Sequence, residues 1–349
     1  MVEPSREDLL KIPIEMIDLS GKVSIDELVT AFSRTSFQAR KLAQCTEIFR
    51  KMTEKDGTHT VMLGMSGALI AGGLRKVISD MIKMGLIDVI VTTGAVIYQD
   101  LYQAMGYDHY RGDVNSDDVL LHSYMIDRIH DTYVDEDRFR ELDVEIGRIM
   151  DSLEPRKYST REFMEILGAR CTSDSDSILG AALERGVPIY CPAVADSSIG
   201  IGLSTAYKRH REEGKDTLFH LDTVRDNFEI AQIVHRSPAT GAIYLGGGVP
   251  KNYINDSIVM ADMLYGDQEG HEYAFQITMD RADWGGLSGS TLSEARSWGK
   301  IGAEATYSMV HVELSIALPL IAGAVMEGRN WRKRKGASLR WNEDELISV

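Results

Sequence analysis

Two hydrophobic periods alternate along the chain. From Ser24 to Lys55 the apolar residues Leu28, Phe32, Phe37, Leu42, Ile48 and Met52 recur at about helical spacing, which predicts one amphipathic helix. Ser24 followed by Glu27 is a capping box at its start, and Asp56–Gly57 breaks it. Thr60–Leu63 then reads as a short apolar strand, Gly64–Gly73 as a glycine-rich turn, Leu74–Met84 as a helix and Ile87–Thr92 as a second strand. Strand, turn, helix and strand make a βαβ unit, so a parallel sheet with right-handed crossovers is expected. Residues 100–150 read as helical or irregular. Farther on, helices are predicted at Ser159–Leu167 (capped by Thr160), Asp176–Gly186 and Asp222–Ser237, with strands at Val187–Cys191, Gly241–Leu245 and Phe275–Met279. Val310–Ala324 reads as a last strand or a buried helix. No linker divides the 349 residues. One α/β domain is therefore expected, with an arm at 1–25, a core at 26–328 and a peripheral tail at 329–349.

Composition narrows the function classes. A net charge of −15 argues against nucleic acid and anionic membrane surfaces as partners. Cys45, Cys171 and Cys191 are odd in number and widely spaced, so neither a disulfide framework nor a zinc site is indicated, and a reducing, cytoplasmic setting is expected. The first residues lack a signal pattern, and no run approaches the roughly 18 apolar residues of a membrane span. His109, His122 and His130 have no metal-ligand spacing and read as ordinary polar or partly buried histidines.

Several stretches could carry chemistry. The turn after the first strand, Gly-Met-Ser-Gly-Ala-Leu-Ile-Ala-Gly-Gly, matches neither the common dinucleotide fingerprint nor a P-loop. Small residues ahead of a helix can bring amides against a phosphate, or can simply pack tightly. Thr92–Ala95 and the loop containing Asp196 lie just past strand ends, where open α/β sheets bind ligands. Asp196 could hold a hydroxyl or a cationic amine, or could serve as a turn or helix cap. Gly246-Gly247-Gly248 at a strand end implies tight curvature or close approach of a ligand. Ser293–Ile301 places Glu294, Trp298 and Lys300 within seven positions. Trp298 can supply an apolar wall and a cation-attracting face, and a lysine shielded from water becomes a nucleophilic amine. The alternative is a solvated lysine beside a core tryptophan.

Five segments in order, TSFQAR (Thr35–Arg40), LIDVIVTTGA (Leu86–Ala95), PAVADSSIG (Pro192–Gly200), LGGGVPKN (Leu245–Asn252) and EARSWGKI (Glu294–Ile301), resemble the deoxyhypusine synthase family, closest to its deoxyhypusine-synthase-like members from bacteria and archaea. The resemblance runs from about Leu28 to Gly328. It implies a doubly wound, mostly parallel, Rossmann-like α/β fold with helices on both faces, NAD as cofactor, and a homotetramer with active sites at dimer interfaces. It also implies a reaction. NAD oxidises spermidine beside its secondary amine, an active-site lysine captures the aminobutyl fragment as an imine, and an acceptor amine receives it before the reduced cofactor completes the product. The acceptor is a lysine of a hypusine-type translation factor or, in homospermidine synthases, putrescine. Lys300 matches the family lysine, and Trp298 and Glu294 match residues lining the polyamine site. The NAD positions implied are Gly67, Ala68, Leu69, Ile70, Ala71, Thr93, Gly94, Ala95, Asp196, Gly246, Gly247, Gly248, Val312 and Glu313, with Asp280 on a looser match. Glu313 replaces the family's aspartate.

The departures bear on substrate. The family has acids where this chain has Gln99, Ile201 and Leu287, and a histidine at Asn252; Tyr98 also replaces an acid. Each acid lost from a site for a protonated amine costs about 1–3 kcal/mol. Retained lysine chemistry on a different or differently held amine is the expectation, with a small diamine as acceptor favoured modestly. An NAD-binding relative that has lost transferase activity and a simple amine dehydrogenase are the alternatives.

Overall fold

Six strands form one sheet in which every pairing is parallel: β1 (His59–Met65), β2 (Val89–Thr92), β3 (Ile189–Tyr190), β4 (Ala239–Leu245), β5 (His271–Thr278) and β6 (Ile301–His311). Their order across the sheet is β6-β5-β4-β1-β2-β3. This is a doubly wound arrangement whose strand order reverses between β1 and β4, as expected. The computed structural model describes residues 5–54, 58–215, 219–266 and 268–349, so the break at Asp56–Gly57 lies outside the described residues.

Buried strands explain the nearly continuous apolar runs, because helices cover both faces. Side chains alternate between the faces. In β1, Val61, Leu63 and Met65 join one core, together with Ile90, Ile243 and Phe275. Met62 joins the other, with Val91, Tyr190 and Tyr244. The first core is closed by helices α1 (Ile25–Phe32), α2 (Phe37–Met52), α3 (Arg75–Lys83) and, near the chain end, Leu314–Gly328. The second is closed by Thr223–Arg236 and Gly248–Tyr265. Between these lie α4 (Gly94–Ala104), α5 (Glu136–Ser152) and α6 (Ser198–Glu212), so the two layers just named become α7 (Thr223–Arg236), α8 (Gly248–Tyr265) and, after the short α9 (Leu292–Arg296), α10 (Leu314–Gly328).

Several sequence expectations need correction. The single helix from Ser24 is two: the capping box forms at Ser24, but the chain turns after Phe32 and restarts at Phe37, whose φ is +59°. Ser159, not Thr160, caps the helix Thr160–Gly168 and forms a capping box with Glu162. Residues 100–150 include a small antiparallel sheet of Tyr110–Arg111, Ile126–Ile129 and Thr132–Asp135 between α4 and α5. The predicted last element is both a strand and a helix, β6 then α10.

The tail is not peripheral. Arg334 is buried against Asp88 at the start of β2, with Nη1 to Oδ1 at 3.1 Å and an Nη2 contact to Oδ2. Arg334 also donates to the carbonyls of Gly85 and His59, while Asp88 accepts from the amides of Val61 and Ala337. Leu346 is fully buried, and its amide donates to Gln232 on α7. Arg334 of the basic tail serves as a buried donor, which composition alone cannot distinguish from a solvated run.

Candidate active site

Lys300 stands at the start of β6, at the opposite end of the strands from the loops expected to bind a cofactor; its carbonyl accepts from His271 at 3.1 Å. Its side chain turns back along α8. Nζ lies 2.8 Å from Asp256 Oδ1 and 5.3 Å from the centre of the Trp298 ring. The lysine side chain is 15% exposed, but Trp298 is 66% exposed. The indole therefore forms one face of the lysine's setting and leaves the outer side open to solvent. Gly299, at φ +70°, makes the turn that joins them, and its Cβ position faces open space.

A second lysine lies close by. Lys251, in the first turn of α8, is almost fully buried and donates to Gln276 Oε1 at 2.9 Å, Ser290 O at 2.5 Å, Ser290 Oγ at 3.0 Å and Leu287 O at 3.5 Å. Burial lowers its ammonium to about 8; Glu294 opposes the shift and the like charge of Lys300 adds to it. Lys251 thus ties α8 to the 287–290 turn and senses both Glu294 and Lys300. Glu294 lies in the first turn of α9, where the Thr291 hydroxyl accepts from its amide. Asn252 Nδ2 donates to Asp256 Oδ2 at 2.7 Å. Lys300, Trp298, Glu294, Asn252 and the backbone of Leu287 therefore gather along the first half of α8, between its Gly248 start and Asp256 at its middle. Lys251 and Asp256 are residues that the sequence reading did not single out. Asp256 lies one helical turn after Asn252, a spacing that puts both on one face, but its partner is far away in sequence.

The expected cofactor positions lie at the C-terminal ends of the strands, on both sides of the reversal in strand order, where such sheets bind dinucleotides. Gly67 (φ +93°) and Gly248 (φ +63°) both face open space. A Cβ on Gly246 would meet Ser66 Oγ at 2.6 Å and one on Gly247 would meet Ser288. These two glycines let the β1 and β5 loops approach, and Gly247 N donates to Ser66 Oγ at 2.9 Å. Leu69 and Ile70 point into the core, and the amides of Leu69, Ala71 and Gly72 are already bonded, so they are not open to a new acceptor. Thr93, Gly94 and Ala95 open α4, where Gly94 packs against Ser197. Ser197 occupies the cap position of α6, so the helix-cap reading of Asp196 falls away and its exposed side chain stands in the loop after β3. Val312 and Glu313 follow β6. Glu313 accepts from the Ser315 amide at 2.9 Å and from its hydroxyl; burial works against ionisation, but these bonds outweigh it and hold the carboxyl below its ordinary range. Asp280 follows β5, its amide donating to Thr278. Open glycine corners, the exposed Asp196 and backbone amides at the switch point fit a dinucleotide.

The remaining expected pocket residues sit on the other half of the sheet. Gln99 on α4 is buried, and its Oε1 accepts from Ala71 N at 3.3 Å, so it braces the turn after β1. Ile201 is 56% exposed on α6. Tyr98 is buried, and its hydroxyl donates to Asp143 at 2.7 Å.

A family model for deoxyhypusine synthase matches residues 27–325. The chain belongs to the deoxyhypusine synthase family. It is 40% identical over 341 residues to "Probable deoxyhypusine synthase 2" of Methanosarcina mazei, covering 97% of this chain and 96% of that one. It is 41% identical over 331 residues to a "Deoxyhypusine synthase-like protein" of Chlorobaculum parvum, covering 93% and 92%, and 38% identical over 343 residues to one of Elusimicrobium minutum, covering 96% and 90%. A solved structure described as a "putative deoxyhypusine synthase" from Entamoeba histolytica shares the fold, with a TM-score of 0.58 at 19% identity over 90% of this chain and 97% of that one. The deoxyhypusine synthase match spans both halves of the sheet, so it includes the lysine end and the altered side alike. Among the described residues, no helix is long and apolar enough to cross a membrane.

Proposed function

We propose that this chain is an NAD-dependent aminoalkyl transferase that carries the transferred fragment as an imine on Lys300, with a polyamine such as spermidine as donor. The observation that carries this reading is the setting of Lys300: an amine beside an aromatic face, next to Asp256, on the helix whose start forms the Gly248 corner. Gly248 and Asp256 are separated by about 12 Å of helix, so one element serves both the cofactor end and the lysine. NAD, when bound, supplies the oxidation that makes the donor carbon electrophilic and the later reduction. The protein's own residues bind and orient. Trp298 offers its face to a cationic amine, Glu294 and Asp256 supply negative charge, and Lys251 anchors the 287–290 turn. Ile201 and Asp196, on the other half, would join the pocket where a second copy faces the first, as a homotetramer with active sites at interfaces would allow.

With acids replaced at Gln99, Ile201 and Leu287, a small amine fits as acceptor better than a protein lysine held by several carboxylates. Incubation with NAD and labelled spermidine, followed by borohydride, should place the label on Lys300; label elsewhere on the protein would refute the mechanism. The second reading is an NAD-binding protein without transferase activity. It is favoured by Gln99, whose side chain is committed to the Ala71 amide. Calorimetry separates the two: NAD binding with no polyamine binding in its presence supports the second.

A further inference from the structure

Lys300 and Asp256 form an ion pair at 2.8 Å, and Asn252 holds the other oxygen of that carboxylate at 2.7 Å. An asparagine can move no proton, but this one orients a group that can. Lys300 pairs with Asp256 from α8, and Lys251 at the start of α8 feels both its like charge and the opposite charge of Glu294 from α9. Lys251 is committed to acceptors on Gln276, Leu287 and Ser290. Asp256 is therefore the carboxylate in direct contact with the amine, and it is part exposed, so substrate can reach it.

Building on the transferase reading, we propose that Asp256 is the proton acceptor and counterion of Lys300, positioned for both tasks by Asn252. In the exchange at the donor carbon, the Nζ lone pair forms the new C–N bond and the bond from that carbon to the departing nitrogen breaks. The proton shed by Nζ passes through an Asp256 oxygen to the departing amine, so no net charge or redox change is required. The cationic imine left on Lys300 then has the same carboxylate as its counterion.

The test separates Lys300 from the cofactor. Imine formation between Lys300 and butanal, trapped with borohydride and read at the Lys300 peptide by mass spectrometry, needs neither polyamine nor NAD. Asp256→Asn should slow both this trapping and the formation of the spermidine-derived adduct with NAD by about 100-fold. Asp256→Glu should restore part of both rates, and Asn252→Ala should lower them less than Asp256→Asn does. A wild-type trapping rate in Asp256→Asn overturns the proposal, as does an adduct rate equal to the wild type. If the wild-type protein forms no spermidine adduct at all, the transferase reading fails, while the trapping rates still decide whether Asp256 serves Lys300.

Discussion

The two halves of the sheet have been treated differently. Around β4, β5 and β6, the lysine, its aromatic neighbour, two acids and a buried second lysine form a connected set. Around β2 and β3, an amide side chain braces a turn at Gln99 and an apolar side chain faces solvent at Ile201. On the transferase reading, the first half holds the groups that a covalent step would use, while the second presents no acid at Gln99 or Ile201 to meet a polycation. Leu287, the third altered position, lies on the lysine half against Lys251.

The comparison breaks most sharply at the nucleophile. Lys300→Ala should lower adduct formation by about 1,000-fold or more and leave NAD binding measured by calorimetry within error. If NAD binding falls together with the adduct, the two halves are not independent. A smaller effect should come from restoring the acids. Gln99→Glu, Ile201→Asp and Leu287→Asp together should tighten spermidine binding by roughly tenfold per acid, read by calorimetry in the presence of NAD. Gln99→Glu should do least, because its side chain already serves the Ala71 amide.

The smallest effect is on stability. Lys251 has an ammonium lowered to about 8 by burial, below its usual value near 10.5. Between those values the unfolded chain binds the proton and the folded one does not, so stability should rise with pH across that window. Lys251→Met should remove roughly 1–3 kcal/mol of that rise, measured as the difference between the two proteins in urea unfolding at pH 7.5 and 10. Parallel curves for the two would mean that Lys251 keeps an ordinary ammonium and that the lysine half is wetter than its burial implies.

The sequence made the βαβ core legible because Thr60–Leu63, Ile87–Thr92 and Gly241–Leu245 are short, branched-rich runs next to glycines, and buried parallel strands look like that. It hid β6, because Ile301–His311 is the edge strand, half exposed, and mixes Gly302, Glu304 and Thr306 among its apolar residues. The break before Phe37 was hidden for a different reason: Phe37 fits the apolar period, yet it is 90% exposed and lies in the left-handed region. At the site, the motif around Lys300 pointed to the lysine now proposed as the nucleophile. Asp256 was invisible because its meaning depends on a contact across the fold, and Lys251 because a buried lysine reads like any other until its four acceptors are in place.

The pairing of Asp88 with Arg334 sets an order of events for a chain made from its N-terminus. The ribosome delivers the carboxylate 246 residues before the guanidinium, an interval of roughly 10–50 s at ordinary elongation rates. Until then the second strand of the sheet carries an anion with no cation to meet it, and burying a lone charge is prohibitive. The start of β2, one strand in from the sheet edge, therefore stays open to water while β4, β5 and β6 are still being made. Fusions that delay or crowd residues 334–346 should raise the fraction of nascent chains bound by chaperones more than fusions of equal size before residue 25.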